Sequence, residues 1–305
     1  MNTKILTRFA LALIGLLVIM ACGSDKKSGL ETDENLLAWA FLNYEPEGRL
    51  AEERAEMLNR LGFTKCGYEG HQQWIDQLEE HIIAYREHGI ELTGIYLEIR
   101  KENPLDQDYL MRAIEIIEKQ NCKLQLWLTI RDNLFQGIPE DQRVQKACDM
   151  IQPLADMVIP NGCKIAMYNH GGWTGLPSNQ VKIVKKLQSH YNPEDLGIVL
   201  NFHHAHPFVD RFPELFAQAK PYLFLVNTNG MRVRVNDEGK KVGDPKILAL
   251  GEGDHEVDML RVVKESGYTG PIGIIDHVKE TDPEVNLSNN LNALKAILEQ
   301  LDTEE

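Results

Sequence analysis

From Leu36 onward a short, continuously apolar run is followed by a segment with helical spacing, and the pair recurs eight times. The runs at 36–42, 63–68, 90–98, 124–130, 164–169, 197–201, 223–228 and 272–276 read as strands buried on both faces, as parallel strands are. The segments at 49–61, 72–87, 108–119, 140–157, 178–190, 210–219, 256–266 and 284–301 carry the helix period. Eight such alternations predict a single-domain (β/α)8 TIM barrel over residues 35–305, in preference to an open doubly wound sheet. In a barrel, polar residues just after the strands gather at one mouth, however far apart they lie in sequence.

Collecting those residues gives bases, acids, amides, a cation and aromatic faces: Asn43, Tyr44, Glu45, Tyr68, Glu69, Tyr96, Glu98, Arg131, Asp132, Tyr168, Asn169, His170, Trp173, Asn201, His203, His204, His206, Asn227, Asn229, Asp276 and His277. The richest stretch is Asn201-Phe202-His203-His204-Ala205-His206. If the strand continues through it, His204 and His206 share one face and His203 takes the other. Imidazoles there can act as general bases, proton shuttles or metal ligands near neutral pH; alternatively they cap the strand and bond to loop backbone. His71, His81, His88 and His190 lie on or beside helices and read as surface residues. No strand is followed by GxGxxG or GxxxxGK[ST], so no nucleotide cofactor is expected.

Lys4 and Arg8 precede the apolar run Phe9 to Met20, and Ala21 precedes Cys22. This reads as an export signal over 1–21. The order Ile19-Met20-Ala21-Cys22 resembles a bacterial lipobox, which implies lipidation of Cys22 and a lipid anchor in the cell envelope, facing the periplasm or the outer surface. The run is shorter than the roughly 20 residues a spanning helix needs. Residues 22–34, rich in Ser, Gly, Lys and Asp, read as a flexible tether. A net charge of -14 argues against a nucleic-acid partner. Cys66, Cys122, Cys148 and Cys163 show no CxxC spacing and read as small buried residues. Arg232 to Lys241 reads as a charged hairpin turn after the seventh strand.

Three stretches, Lys164 to Gly172, Gly197 to Ala205 and Leu250 to Asp254, make the chain resemble the xylose-isomerase-like TIM barrels, the sugar phosphate isomerase/epimerase superfamily. That resemblance implies a divalent metal held by Glu after strand five, Asp after strand six, His in the later loops and Glu after strand eight. By local alignment these carboxylates fall on Tyr168, Asn201 and Asp276, leaving one of three. A nitrogen-richer set, His170, His204, His206, Asp276 and His277, offers ligands suited to one divalent transition metal such as Zn, Mn or Co.

The resemblance also implies proton abstraction beside a carbonyl. Export, and a mouth whose obvious cation is Arg131, point to an unphosphorylated sugar or glycoside as the small-molecule partner. The reaction is then β-elimination of a 3-keto-glycoside, isomerisation or epimerisation. The assigned roles are His204 or His170 as general base and Glu98 or Asp276 as partner or acid. Tyr68, Arg131, Asn169, Trp173, Asn201 and Asn229 are assigned to substrate oxygens and ring faces. Glu98 has a second reading, an ion pair with Arg100 or Arg131. Two other functions compete. A non-catalytic glycan-binding lipoprotein on a degenerate barrel would explain the lost carboxylates, and a glycosidase would need Glu98 and Asp276 to flank one bond.

Overall fold

The computed structural model describes residues 33–42, 45–233, 240 and 246–304. The stretch read as an export signal, Cys22, the part of the expected tether before Asp33, Asn43, Tyr44 and most of the hairpin tip lie outside these residues. In chain order the strands are β1 (Leu36–Trp39), β2 (Lys65–Glu69), β3 (Glu91–Ile99), β4 (Gln125–Ile130), β5 (Lys164–Tyr168), β6 (Leu196–Asn201), β7 (Leu223–Thr228), β8 (Gly230–Arg232), β9 (Lys246–Leu248) and β10 (Ile272–Ile275). The helices are α1 (Ala51–Arg60), α2 (Leu78–Glu87), α3 (Asp108–Lys119), α4 (Glu140–Val158), α5 (Pro177–Leu187), α6 (Phe202–Ala205), α7 (Phe212–Ala219), α8 (Glu256–Glu265) and α9 (Pro283–Thr303).

Eight parallel strands close in the order β1-β10-β7-β6-β5-β4-β3-β2, so the chain is a single (β/α)8 barrel. Closure comes from β1 and β10, where Leu36 pairs with Ile272 and Trp39 with Ile275. The charged hairpin is an antiparallel β8–β9 pair outside the barrel, with Met231 opposite Ile247.

Inside the barrel, Leu37, Trp39, Tyr96, Trp127, Ala166, Tyr168, Val199, Leu225 and Ile275 form one cluster. Trp127 is fully buried at its centre. It fits because the facing positions on β2 and β3 are glycines: a Cβ at Gly94 would stand 2.3 Å from its ring, and one at Gly67 2.6 Å. The opposite faces of the strands, such as Ile95, Leu97, Leu126 and Leu128, join the larger core beneath the helices. This alternation is why the apolar runs are continuous.

Several boundaries differ from the sequence reading, two of them instructively. The first strand stops at Trp39 because Ala40 turns left-handed (φ 56°), although Phe41 and Leu42 stay buried. The second helix begins at Leu78, after a short helical turn over Ile75–Gln77. Cys66, Cys148 and Cys163 are buried and Cys122 half-buried, all four as free thiols. No helix among the described residues is long and apolar enough to cross a membrane.

Candidate active site

The mouth is organised by an asparagine at the end of β6. Asn201 Oδ1 accepts the His203 backbone N–H (2.9 Å), capping the one-turn helix α6. The strand therefore ends at Asn201, and the expected alternation of the histidines does not occur. Helical spacing instead sets His203 beside His204, ring centroids 4.4 Å apart, and sends His206 away to pack on His255 at 5.2 Å. Asn169, after β5, accepts the Asn201 N–H (2.7 Å) through Oδ1 and donates Nδ2 to the Asn201 carbonyl (3.1 Å). A side-chain amide thus extends the β5–β6 pairing by one step and leaves His170 at the opening, 4.3 Å from His204.

The rings continue on both sides. His170 lies 5.6 Å from Tyr96 of β3, and Tyr96 lies 5.5 Å from His71, which follows β2. On the other flank His203 lies 5.5 Å from His277, which follows β10 with a left-handed backbone (φ 50°). Met231 Sδ of β8 closes on His203 Nδ1 at 3.1 Å. An arc of rings, His71, Tyr96, His170, His204, His203 and His277, crosses the mouth from β2 to β10.

Burial holds most of these imidazoles below the usual histidine range. It lowers His71, with Arg100 adding to the effect, and lowers His170. It carries His204 well below, with the neighbouring histidines repelling any added charge. His277 falls to about 3 for the same two reasons. These rings are neutral at neutral pH, although the outer face of His170 is open to solvent. Glu98 supplies the opposing charge. Burial would raise its carboxyl, but Arg131 Nε at 3.0 Å and Arg100 Nε at 2.5 Å outweigh burial and keep it ionised. Its charge in turn favours protonation of His170 and His71.

His170, His204, Glu98 and Arg131 therefore gather at the mouth, and the ion-pair reading of Glu98 describes its contacts. Other assigned residues sit elsewhere. Asp276 is fully buried and faces α9, where Asn286 Nδ2 donates to its Oδ1 at 2.7 Å. Burial, with Glu69, Glu45 and Asp282 nearby, pushes its carboxyl up to about 8. Tyr68 lies in the layer beneath the helices, its hydroxyl donating to the Trp74 carbonyl (2.7 Å). The amides of Asn169 and Asn201 are engaged within the protein, and Asn229 donates to the Gly230 carbonyl (3.0 Å). Trp173 donates to Glu140 (2.7 Å) and packs on Phe135 at the rim over α4. Glu98 and Asp276 turn to different partners, so they do not form the pair a glycosidase needs.

Two histidines read as surface residues are not. His71 stands in the arc, and its position two residues past the end of β2 is the signal that places it there. His81 is buried, accepting from Arg54 Nη1 (2.9 Å) and donating to the Gln77 carbonyl (2.9 Å).

The donor set does not fit a divalent metal. At the positions matching the three carboxylates stand a protonated phenol, Tyr168, an engaged amide, Asn201, and Asp276 turned towards α9. A hard cation needs ionised oxygen to offset its dehydration. His206 is directed to His255, away from His204. Among the described residues no trio of His, Cys, Asp or Glu is arranged to hold an ion.

The model of the xylose isomerase-like TIM barrel family matches residues 49–297. No curated protein matches the chain by sequence. Among solved structures, a xylose isomerase domain containing protein from Salmonella typhimurium LT2 is similar at 14% identity and TM-score 0.63, covering 88% of this chain and 98% of its own. A D-psicose 3-epimerase, solved in the presence of D-fructose, has 16% identity and TM-score 0.59, covering 86% and 97%. The 3-keto-D-glucoside 4-epimerase of E. coli has 12% identity and TM-score 0.57, covering 86% and 99%. At these identities the likeness is one of fold.

Proposed function

Because this chain belongs to the xylose isomerase-like TIM barrel family, we propose that it is an enzyme that removes a proton next to a carbonyl of an unphosphorylated sugar or glycoside. The reaction is β-elimination of a 3-keto-glycoside, or isomerisation or epimerisation through the same intermediate. The observation that carries this reading is the His170–His204 pair, neutral imidazoles 4.3 Å apart at the barrel mouth beside an ionised Glu98.

His170 is the general base. It combines an open face with the nearby Glu98 charge, which stabilises the imidazolium formed on proton transfer. The C–H electrons move to form the enolate, and His204 backs the ring that holds the proton. In elimination the bond to the glycosidic oxygen breaks and that oxygen takes the proton from the imidazolium. In isomerisation or epimerisation a carbon takes it back. Arg131 is the half-exposed cation of this rim and is already paired with Glu98, which suits hydroxyl groups better than a phosphate. Two barrels of similar fold, a keto-glucoside epimerase and a psicose epimerase, act on sugars of this kind by name. The lipobox-like stretch Ile19-Met20-Ala21-Cys22 supports a cell-envelope address with a lipid anchor at Cys22.

The test is release of the aglycone, or change of the sugar, on incubation with a 3-keto-glucoside and with free ketoses. Wild type should turn over, and His170→Ala and His204→Ala should abolish turnover while the melting temperature holds. No turnover by wild type would overturn the reading and leave a glycan-binding lipoprotein in its place.

A further inference from the structure

Tyr168 occupies the barrel interior at the end of β5, with 3% of its surface exposed. Two groups that can only donate converge on its oxygen: the indole N–H of Trp39 at 3.0 Å and Nδ2 of Asn201 at 2.5 Å. The Asn201 amide cannot be turned round, because its Oδ1 already accepts the His203 N–H. A phenol that accepts from two donors directs its own O–H elsewhere, and the other side chain in hydrogen-bonding contact with it is the Asn227 amide. Burial pushes the hydroxyl up to about 12, so the proton is present at neutral pH.

A second buried polar group adjoins it. Asn227 of β7 is fully buried, and beyond its contact with the Tyr168 phenol neither its Oδ1 nor its Nδ2 has a hydrogen-bond partner. It is the ladder neighbour of Asn201 and leans across Gly273, where a Cβ would meet its Oδ1 at 1.8 Å. It lies next to the Tyr168 phenol. Buried polar groups of this kind are ordinarily satisfied. The rings of His204 and His170 stand 6.0 and 6.4 Å from the Tyr168 ring, so the phenol of this pair lies under the proposed base.

We propose that Tyr168 is a catalytic residue that donates its O–H to the oxygen of the enolate, and that Asn227 beside it binds the adjacent hydroxyl. The phenol then stands at a position where the family resemblance implies a metal-ligating carboxylate. The substrate class narrows to α-hydroxy carbonyl compounds, since a hydroxyl both donates to and accepts from one amide. Two fixed donors onto the phenol oxygen strengthen its O–H as a donor to developing negative charge. The inference rests on the reading of the mouth as a proton-abstraction site.

Acetohydroxamate, a planar molecule with two cis oxygens, is the probe, titrated against the whole protein in the presence of EDTA. Wild type should bind it. Tyr168→Phe and Asn227→Ala should each weaken binding at least tenfold with folding unchanged by circular dichroism. The Tyr168 Cζ carbon resonance of the labelled wild type should move on titration, a readout that needs no variant. Equal affinity in wild type and Tyr168→Phe, an unmoved Cζ resonance, or no binding by wild type would overturn the inference. Binding with this pattern but no turnover of keto-sugars would sink the proton-abstraction reading and leave the oxygen site standing. Turnover that Tyr168→Phe leaves unchanged would do the reverse.

Discussion

The imidazoles of His170 and His204 lie with centroids 4.3 Å apart and planes inclined at 53°, one ring carried by the loop after β5 and the other by the helical turn after β6. The Asn169–Asn201 double hydrogen bond immediately before them sets this spacing, because it locks the two strand ends in register. An imidazole pair built this way is neutral at neutral pH.

Glu98 tunes the His170 ring. Its charge favours the imidazolium of His170, against the larger effect of burial. Glu98→Gln should therefore lower the His170 pKa further and move the acid limb of kcat/KM to lower pH. It should also leave Arg100 and Arg131 without their partner, which raises the positive field at the rim. A pH–rate profile of the variant beside wild type checks this; an acid limb moved upward would contradict it.

Asp276 carries the opposite pH dependence. Its folded pKa, about 8, lies above its ordinary value of 3.8, so the folded state holds a proton that the unfolded state has released. Stability from this group is lost as pH rises from about 4 to about 8 and is level beyond. Asp276→Asn keeps an oxygen for Asn286 and cannot ionise. The variant's melting temperature should exceed that of wild type by an increment that grows up to about pH 8 and then stops growing.

His81 acts from the acid side. It is neutral in the fold, with a pKa of about 4 set by burial, while its ordinary value is 6.5. As pH falls from 6.5 towards 4 the unfolded chain takes up a proton that the folded one refuses, and stability drops. His81→Leu should flatten that slope. At pH 7 it should also cost on the order of 2–4 kcal/mol, because buried Arg54 is left with the Glu45 carboxylate at 3.9 Å as its ion pair. Urea unfolding at several pH values reads both effects. Asp276 works against His81 over part of this range, so the difference from wild type is the quantity to compare.

Chelation separates this chain from a metal-dependent barrel. With a phenol and an amide at two of the three carboxylate positions, protein purified without chelator should hold well below one divalent ion per chain, and EDTA should leave turnover unchanged. Stoichiometric metal with turnover lost on chelation would mean that the histidine arc rearranges to bind it.

The barrel was legible because strand and helix periods are local. Residues 124–130 read as a buried strand whatever lies around them, and β4 occupies Gln125–Ile130. The mouth inventory follows from the same reading, which brings His170, His204 and Glu98 to one end of the barrel. His71 was within reach of that rule, two residues past β2, but its helical flank concealed it.

What the sequence by itself determined is the succession of eight strands and helices, and with it which residues arrive at one end of the barrel. Apolar spacing along a few residues dictates which face is buried. Only the tertiary structure decided where side chains point once a strand stops. Asn201 ends β6 by capping His203, so His206 turns from the arc; Asn286 on α9 draws Asp276 behind the barrel; and Arg100 and Arg131 converge on Glu98 from beyond β3 and β4. Each outcome depends on a hydrogen-bond or ion-pair partner brought in by another part of the fold, and no local pattern encodes that partner.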